Sequence, residues 1–278
     1  MKRLLFLLIT FVLIVGCSTV PITGRKTLNL IPESQMNSMS FTQYDEFLKT
    51  NKLSNNRTQI NIVKRVGHRI QKAVEQYFAD NGMSNKLSGY EWEFNLLESN
   101  EVNAWCMPGG KVVVYTGILP VTKDETGLAV VMGHEIAHAI AGHGSERMSQ
   151  GMLAQLGGMA LETALEEKPD KTKQVWMTVF GVGTQFGVML PFSRMHESEA
   201  DHLGLIFMAM AGYDPAKAVE FWERMSAMKG GQAPPEFMST HPADATRISN
   251  LKKLLPEALN YYKKPAGSNI KRKKINSG

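Results

Sequence analysis

Cysteine is scarce in this chain, which has only Cys17 and Cys106 among its 278 residues. Cys17 follows an N-terminal leader, so Cys106 is the single cysteine of the remaining chain and has no intramolecular partner. This excludes a small scaffold held by disulfides, and we expect the lone thiol to be buried and inert rather than paired between molecules. With 43% hydrophobic and 21% charged residues, the chain is long enough to bury the core of one domain with extensions.

The body of the chain lacks the positive charge that its formal total of +5 suggests. Two basic residues lie in the leader, and six lie in a C-terminal tail, 263–278. Without these eight charges the remainder carries −3. No nucleic-acid-binding module accompanies the basic ends, so we expect no nucleic-acid partner. The tail is predicted to be disordered and either solvated or close to anionic lipid or polymer.

No hydrophobic run at the N-terminus is long enough to span a membrane. The apolar stretch Leu4–Val15 has 12 residues, whereas a spanning helix needs about 20. It is typical of an export signal over residues 1–16. The sequence Leu13–Cys17 resembles the lipobox of bacterial lipoproteins, which implies lipid attachment at Cys17 and a membrane-anchored protein of the bacterial periplasm. Ser18 favours the outer membrane, and the alternative is an ordinary cleaved signal beside an incidental cysteine.

The mature chain is predicted to divide into a tether and one main domain. Residues 17–55 are interpreted as an irregular, lipid-anchored tether followed by a helix, and 56–262 as the domain that carries the function. Within it, Val175–Leu190 is apolar and glycine-rich but too short to span a bilayer. We interpret it as a core or cleft-covering helix, with membrane contact as the less favoured alternative.

A small β-element is predicted near the middle of the chain. Tyr90–Leu96 alternates apolar and polar residues, which is typical of a half-buried strand. Val102–Met107 and Lys111–Thr116 flank a Pro-Gly-Gly turn and predict a hairpin. A long helix follows, for which Thr122 and Glu125 form a predicted capping box.

The pattern H-E-x-x-H, at His134, Glu135 and His138, lies in that helix, which is apolar almost all round. Histidines four residues apart project from one face of a helix and can bind one metal ion. Glu135 lies about 100° round the helix, where it can act as a general base on water at the metal. A helix of this kind is buried, and buried histidine and glutamate need partners, which argues against a chance surface pattern. The geometry predicts a catalytic zinc site.

A catalytic zinc site needs a third protein ligand. His143 lies about half a turn away on the helix, and we interpret it as a C-terminal histidine whose positive charge is favourable there. Glu197 is the preferred ligand. Asp201, one turn later on the same face, is predicted to accept the distal N–H of a zinc-bound histidine. Glu199 lies on the other side of that helix and is the weaker candidate.

Short motifs follow one another in fixed order across most of the mature chain. They are Pro21-Ile22-Thr23-Gly24-Arg25, Leu28-Asn29-Leu30, Asn103-Ala104, Pro108-Gly109-Gly110, His134–His138, Ser193-Arg194, Glu197–Asp201, Ser239-Thr240-His241-Pro242 and Arg247. Together they resemble the zinc metallopeptidases that include HtpX, the CAAX prenyl endopeptidases and Oma-type proteases, above all the exported lipoprotein branch typified by LoiP and BepA, without its tetratricopeptide repeats. The resemblance implies a mainly α (α+β) fold of gluzincin type, one zinc bound by His134, His138 and Glu197, and Glu135 as the catalytic residue.

The function implied is metalloendopeptidase activity on unfolded or misassembled proteins of the cell envelope. Zinc would polarise the scissile carbonyl, and Glu135 would transfer a proton from water to the leaving amine. The hairpin edge is predicted to bind an extended polypeptide as an added strand, which reads the substrate backbone more than its side chains. Its candidate substrate-binding residues are Asn103, Ala104, Pro108 and Gly109.

Two residues and two alternative functions remain open at this point. His241 is interpreted as an oxyanion donor, an extra zinc ligand or a residue near a helix N-cap. Arg247 either pairs with a carboxylate of the site or forms a structural salt bridge. A non-proteolytic outer-membrane assembly or chaperone lipoprotein would keep a zinc site, although it has no need of Glu135 as a base. An exopeptidase would need an anchor for a peptide terminus, and the sequence reveals neither that anchor nor an oligomeric state.

Overall fold

The computed structural model describes residues 17–228, 236–242 and 245–262, so the predicted signal peptide and basic tail lie outside the described residues. The helices are α1 (Glu33–Thr50), α2 (Arg57–Asp80), α3 (Leu119–Thr122), α4 (Glu125–Ile140), α5 (His143–Ala164), α6 (Asp170–Thr184), α7 (Leu190–Met210), α8 (Lys217–Ala227), α9 (Glu236–Thr240) and α10 (Ala245–Tyr261). The strands are β1 (Cys17–Thr19), β2 (Lys26–Leu28), β3 (Glu93–Leu97), β4 (Ala104–Met107) and β5 (Lys111–Tyr115). The predicted mainly α (α+β) fold is confirmed.

Helix α4 is the centre of the core and is buried from Gly127 to His138. Its N-cap is Asp124, whose carboxylate accepts the N–H of Gly127 at 2.8 Å. The predicted capping box is therefore wrong: Thr122 ends α3, where its hydroxyl donates to the Leu119 carbonyl. The chain leaves α4 through Gly142, which has a left-handed φ of 71° that glycine adopts without strain.

The predicted hairpin before α4 is confirmed. Strand β5 is buried at all five positions and lies between β3, which is parallel to it, and β4, which is antiparallel. The turn between β4 and β5 uses Gly109 and Gly110, with φ of 81° and 89°. Strand β4 is an outer strand of this sheet and packs against α4.

The segment before α1 is ordered against the body, so its interpretation as an irregular tether is wrong. Strands β1 and β2 pair antiparallel, with Ser18 opposite Thr27. Val20 is only 2% exposed and belongs to the main hydrophobic core. Burial of this side chain stabilises a hairpin that is too short to show a periodic sequence pattern.

Helices α5 and α6 pack together, but their apolar side chains are not covered within the described residues. Val175 and Phe186 are 61% and 66% exposed, so the predicted core or cleft-covering role of Val175–Leu190 is wrong. A π-helical segment, Gln185–Met189, joins α6 to α7, and Ser193 therefore caps no helix. Asp170–Met210 is thus one helix whose length and apolar composition would suffice to cross a membrane.

Candidate metal centre

Four side chains from three parts of the chain converge at the middle of α4. His134 and His138 come from α4, Glu197 from α7, and His241 directly follows α9. One potential ligand atom from each lies within 4.8 Å of all the others. The two histidines of α4 and Glu197 are the ligands predicted from the sequence, and His241 joins them.

The distances within this cluster fit a zinc ion. His134 Nε2 lies 3.1 Å from both His138 Nε2 and His241 Nδ1. Glu197 Oε1 lies 3.3 Å from His138 Nε2, and its Oε2 lies 3.3 Å from His134 Nε2 and 2.8 Å from His241 Nδ1. Tetrahedral zinc with bonds of about 2.0–2.1 Å holds its ligand atoms about 3.3 Å apart. The donor set and its spacing therefore match zinc.

Proton positions lead to the same conclusion. Asp201 Oδ1 lies 3.0 Å from His134 Nδ1, so this nitrogen carries the proton, as predicted for the orienting carboxylate. His134 Nε2 then presents a lone pair into the cluster, 3.1 Å from ring nitrogens of His138 and His241, where it is available to a metal ion.

Glu135 faces this cluster with one oxygen unpaired. Its side chain is buried, and Oε1 has no hydrogen-bond partner in the described part of the chain. His241 Nε2 lies 3.5 Å from that oxygen, which is too long for a hydrogen bond. Burial raises the pKa of Glu135 to about 7. A buried carboxylate with a free oxygen and this pKa can exchange a proton with water near neutral pH.

Arg247 pairs with the carboxylates of the site, which is the first of its two interpretations. Its Nε and Nη2 donate to the two oxygens of Asp201 at 2.8 and 2.7 Å, and its Nη1 donates to Glu197 Oε2 at 3.2 Å. The guanidinium also lies 3.4 Å from the ring centre of Trp222. Burial opposes ionisation of Asp201, but the charge of Arg247 and the hydrogen bond with His134 outweigh it and lower the pKa of Asp201.

His143 is not a helix C-terminal histidine. It begins α5, is fully buried, and its Nδ1 lies 2.8 Å from His138 Nδ1. Burial lowers the pKa of His143 to about 4, so its ring is neutral at pH 7. The error arose because Gly142 turns the chain before residue 143, and the helical wheel of α4 does not extend past that turn.

Glu199 lies outside the ligand group, as its position on the helix predicted. It accepts a hydrogen bond from His143 Nε2 at 3.0 Å and pairs with Arg25 at 2.7 Å. Burial raises its pKa, but hydrogen bonds from His143, Arg25 and Thr23 outweigh this and lower it to about 2. Arg25 and its contacts were not foreseen from the sequence, because its partners lie 121 and 174 residues away.

The predicted substrate-binding residues lie along β4 and its turn. Asn103 Oδ1 accepts the N–H of Ala104, which is buried, and the Pro108 carbonyl accepts the hydroxyl of Ser40 on α1. Gly109 leaves no room for a Cβ because Phe41 packs against it. These contacts explain Pro108 and Gly109 by packing, and binding of substrate by the four residues stays a prediction.

Cys106 lies between those residues on β4 and is half-buried rather than fully buried. Burial, and to a smaller extent the negative charge of Glu135, raise its pKa well above the ordinary value. The thiol is thus less readily ionised than that of an ordinary cysteine.

Comparison with known proteins identifies the family. The sequence profile of peptidase family M48 matches residues 65–255, which include all four residues of the cluster. The chain belongs to peptidase family M48. Zinc as the cofactor is confirmed by this M48 membership together with the cluster, and the gluzincin-type fold is confirmed with it.

Relatives of this M48 protein include the mitochondrial metalloendopeptidase OMA1 of Saccharomyces cerevisiae, 34% identical over 69% of this chain and 55% of that protein. OMA1 of Schizosaccharomyces pombe is 37% identical over 68% of this chain and 53% of that protein. The beta-barrel assembly-enhancing protease of Escherichia coli is 28% identical over 57% of this chain and 33% of that protein. The chain thus spans about half the length of the yeast relatives.

These comparisons correct one expectation and leave another without support. The predicted bacterial periplasmic location is contradicted, because the relatives matched at higher identity are mitochondrial proteins by name. The exported lipoprotein branch and lipid attachment at Cys17 gain no support from the same relatives. The wider resemblance to the M48 metallopeptidases is confirmed.

Proposed function

We propose that this protein is a zinc-dependent metalloendopeptidase in which Glu135 is the general base. The observation that carries the proposal is the buried, unpaired Oε1 of Glu135 beside a cluster with zinc-ligand spacing. Membership of the M48 family and the metalloendopeptidase relatives support it.

His134, His138 and Glu197 would hold the metal, which supplies the Lewis acidity that polarises a carbonyl and activates water. Asp201 fixes the proton of His134 on Nδ1 and leaves Nε2 free as a ligand. Arg247 holds Asp201 and Glu197 in place through its paired hydrogen bonds. Glu135 takes a proton from the attacking water and delivers it to the leaving amine.

His241 would give the resting site a fourth ligand. Its Nδ1 lies at ligand distance from both His134 Nε2 and Glu197 Oε2, which supports the extra-ligand interpretation. A catalytic zinc site keeps one position open for water or substrate. With His241 bound, that position would be filled, so His241 would have to withdraw before hydrolysis.

The substrate is an extended segment of an unfolded or misassembled protein, bound along the outer edge of β4. The Tyr115 N–H donates to the Asn103 carbonyl at 3.1 Å, so the backbone groups of Asn103 face β5. Backbone groups alternate in direction along a strand, so those of Ala104 and Cys106 face away from β5. Asn103 already accepts the Ala104 N–H, which leaves Cys106 as the main pairing position near Glu135. Backbone pairing of this kind selects extended chains rather than particular side chains.

The alternative is a non-proteolytic assembly or chaperone protein with a zinc site. It gives no reason to bury Glu135 beside the cluster with an unpaired oxygen, because burial of an unsatisfied carboxylate costs stability and a binding protein needs no general base.

Zinc content and casein cleavage by the purified protein test both functions. The comparison variants are Glu135→Gln and, as a matched control, the exposed Glu101→Gln. Zinc in all three proteins, with cleavage lost only in Glu135→Gln, would support the peptidase. Zinc without cleavage, even after His241→Ala, would favour the alternative, and a protein without zinc would overturn the metal centre.

A further inference from the structure

A chain of buried contacts leads from the first hairpin to the metal cluster. Arg25, in the segment between β1 and β2, donates to Glu199 Oε2 from Nε at 2.9 Å and from Nη2 at 2.7 Å. The same oxygen accepts from His143 Nε2 at 3.0 Å, and His143 Nδ1 lies 2.8 Å from His138 Nδ1. Arg25 lies outside residues 65–255, the part of the chain that the family profile matches.

The hydrogen-bond partners determine which ring nitrogen carries the proton in His143 and in His138. Glu199 Oε2 accepts, so His143 carries its proton on Nε2 and presents a lone pair at Nδ1. That lone pair accepts the proton of His138 Nδ1, which leaves His138 Nε2 free to face the metal cluster. If His143 instead carried its proton on Nδ1, the proton of His138 would move to Nε2 and block the ligand atom.

Glu199 performs this task only while it is held in place. Its side chain is 5% exposed, and its other oxygen accepts the Thr23 hydroxyl. The partly exposed Arg25 supplies the compensating charge, and its Nε and Nη2 both donate to Oε2, so that Arg25 holds one oxygen of the carboxylate and Thr23 holds the other. A second carboxylate, Glu146, accepts from Nη1 at 2.9 Å and from Nη2 at 2.8 Å and fixes the guanidinium in turn.

We propose that Arg25 is a positioning residue of the metal centre, which fixes the tautomer and orientation of His138 through Glu199 and His143. The segment before α1 is thereby part of the metal site, although it contributes no ligand. The proposal rests on His138 being a ligand, as in the proposed function. Loss of a residue that orients a metal ligand typically weakens metal binding about 10–100-fold.

Zinc affinity, measured by chelator competition on the full chain, tests the role of Arg25. We expect Arg25→Gln to weaken zinc binding by about tenfold or more, and Arg25→Lys to recover part of the loss because it keeps the charge but not the fork. Arg65→Gln is the matched control, since Arg65 pairs with Glu125 at the far end of α4. The visible spectrum of the cobalt-substituted protein should shift in Arg25→Gln and not in the control.

Other outcomes separate the possible failures. A folded Arg25→Gln protein with wild-type zinc affinity and an unchanged cobalt spectrum would overturn the proposal, even if its melting temperature fell. If Arg25→Gln does not fold, zinc affinity is measured in Glu199→Gln instead. A single amide oxygen cannot accept all the hydrogen bonds that the carboxylate receives, so we expect weaker zinc binding, and unchanged binding would overturn the proposal. Unchanged zinc binding in His138→Ala would overturn the ligand set itself, and this proposal with it.

Discussion

Gly133 and Gly204 face each other at the point where α4 crosses α7. A Cβ atom on Gly204 would lie 3.0 Å from the backbone nitrogen of His134, and one on Gly133 would lie 3.1 Å from the Gly204 carbonyl oxygen. Two helix backbones therefore touch directly beside His134, a proposed metal ligand. This close approach brings Glu197 and Asp201, on α7, within reach of His134 on α4.

Gly204→Ala is expected to force the two helices apart. The added methyl group meets backbone atoms, which cannot move aside as a flexible side chain can, so we expect a loss of about 1–3 kcal/mol in the free energy of unfolding. Chemical denaturation of the metal-free protein measures this loss. Zinc affinity should also fall, because Glu197 and Asp201 move away from His134.

Gly181→Ala is the matched control for that substitution. Gly181 also lies within a helix, but a Cβ there meets nothing within 4 Å. Alanine favours the helix over glycine by about 1 kcal/mol, so this variant should be unchanged or slightly more stable. Equal destabilisation by the two variants would show that the close crossing of α4 and α7 does not matter.

Local spacing was enough to predict which helices carry the His134, His138 and Glu197 side chains of the cluster. His134, His138 and Glu135 follow from a four-residue helical repeat, and Glu197 with Asp201 follow from a second. Spacing failed where the backbone changes direction, since Gly142 removes His143 from the helical wheel of α4. It also failed for Arg25, because no periodic pattern connects residues that lie more than a hundred positions apart.

Hydropathy led to a wrong prediction of burial for α6. The apolar composition of Val175–Leu190 suggested a covered helix, yet Val179 and Val182 are 55% and 53% exposed. Composition measures how strongly a segment favours an apolar environment and does not say which surface supplies it.

His241→Ala is expected to raise casein cleavage several-fold while zinc is retained. Removal of the fourth ligand leaves three protein ligands and an open position, which is the arrangement of catalytic zinc sites. His202→Ala is the control, because His202 pairs with Glu257 outside the cluster. Loss of cleavage with zinc still bound would instead favour a role for His241 as an oxyanion donor.

Asp201→Asn should weaken zinc binding by about 10–100-fold. The amide keeps the shape of the side chain but lacks the charge that orients His134, and it leaves the buried Arg247 without its full partner. Zinc competition against a chelator measures the effect, with the exposed Asp170→Asn as control. Wild-type zinc affinity in Asp201→Asn would contradict the proposed role of Asp201 in orienting His134.

The stability of the protein in acid tests the contacts that Glu146 makes with Arg25 and His196. Burial opposes ionisation of Glu146, but hydrogen bonds from His196 and Arg25 outweigh burial and lower its pKa to about 2, from an ordinary value of 4.5. A carboxyl whose pKa is lower in the folded protein stabilises the fold fully above its unfolded pKa, and this stabilisation is lost as the pH falls from about 4.5 towards 2.

The variant Glu146→Gln should therefore be less stable than the wild type at pH 7, by on the order of 2 kcal/mol. The difference should shrink as the pH falls below about 4.5, because the wild type then loses the same interaction by protonation. Urea unfolding of the metal-free proteins at pH 7 and pH 3 measures both effects, with the half-exposed Glu223→Gln as control. A difference that is equal at the two pH values would show that Glu146 stabilises the fold by packing alone, because only the charged form distinguishes neutral from acid conditions.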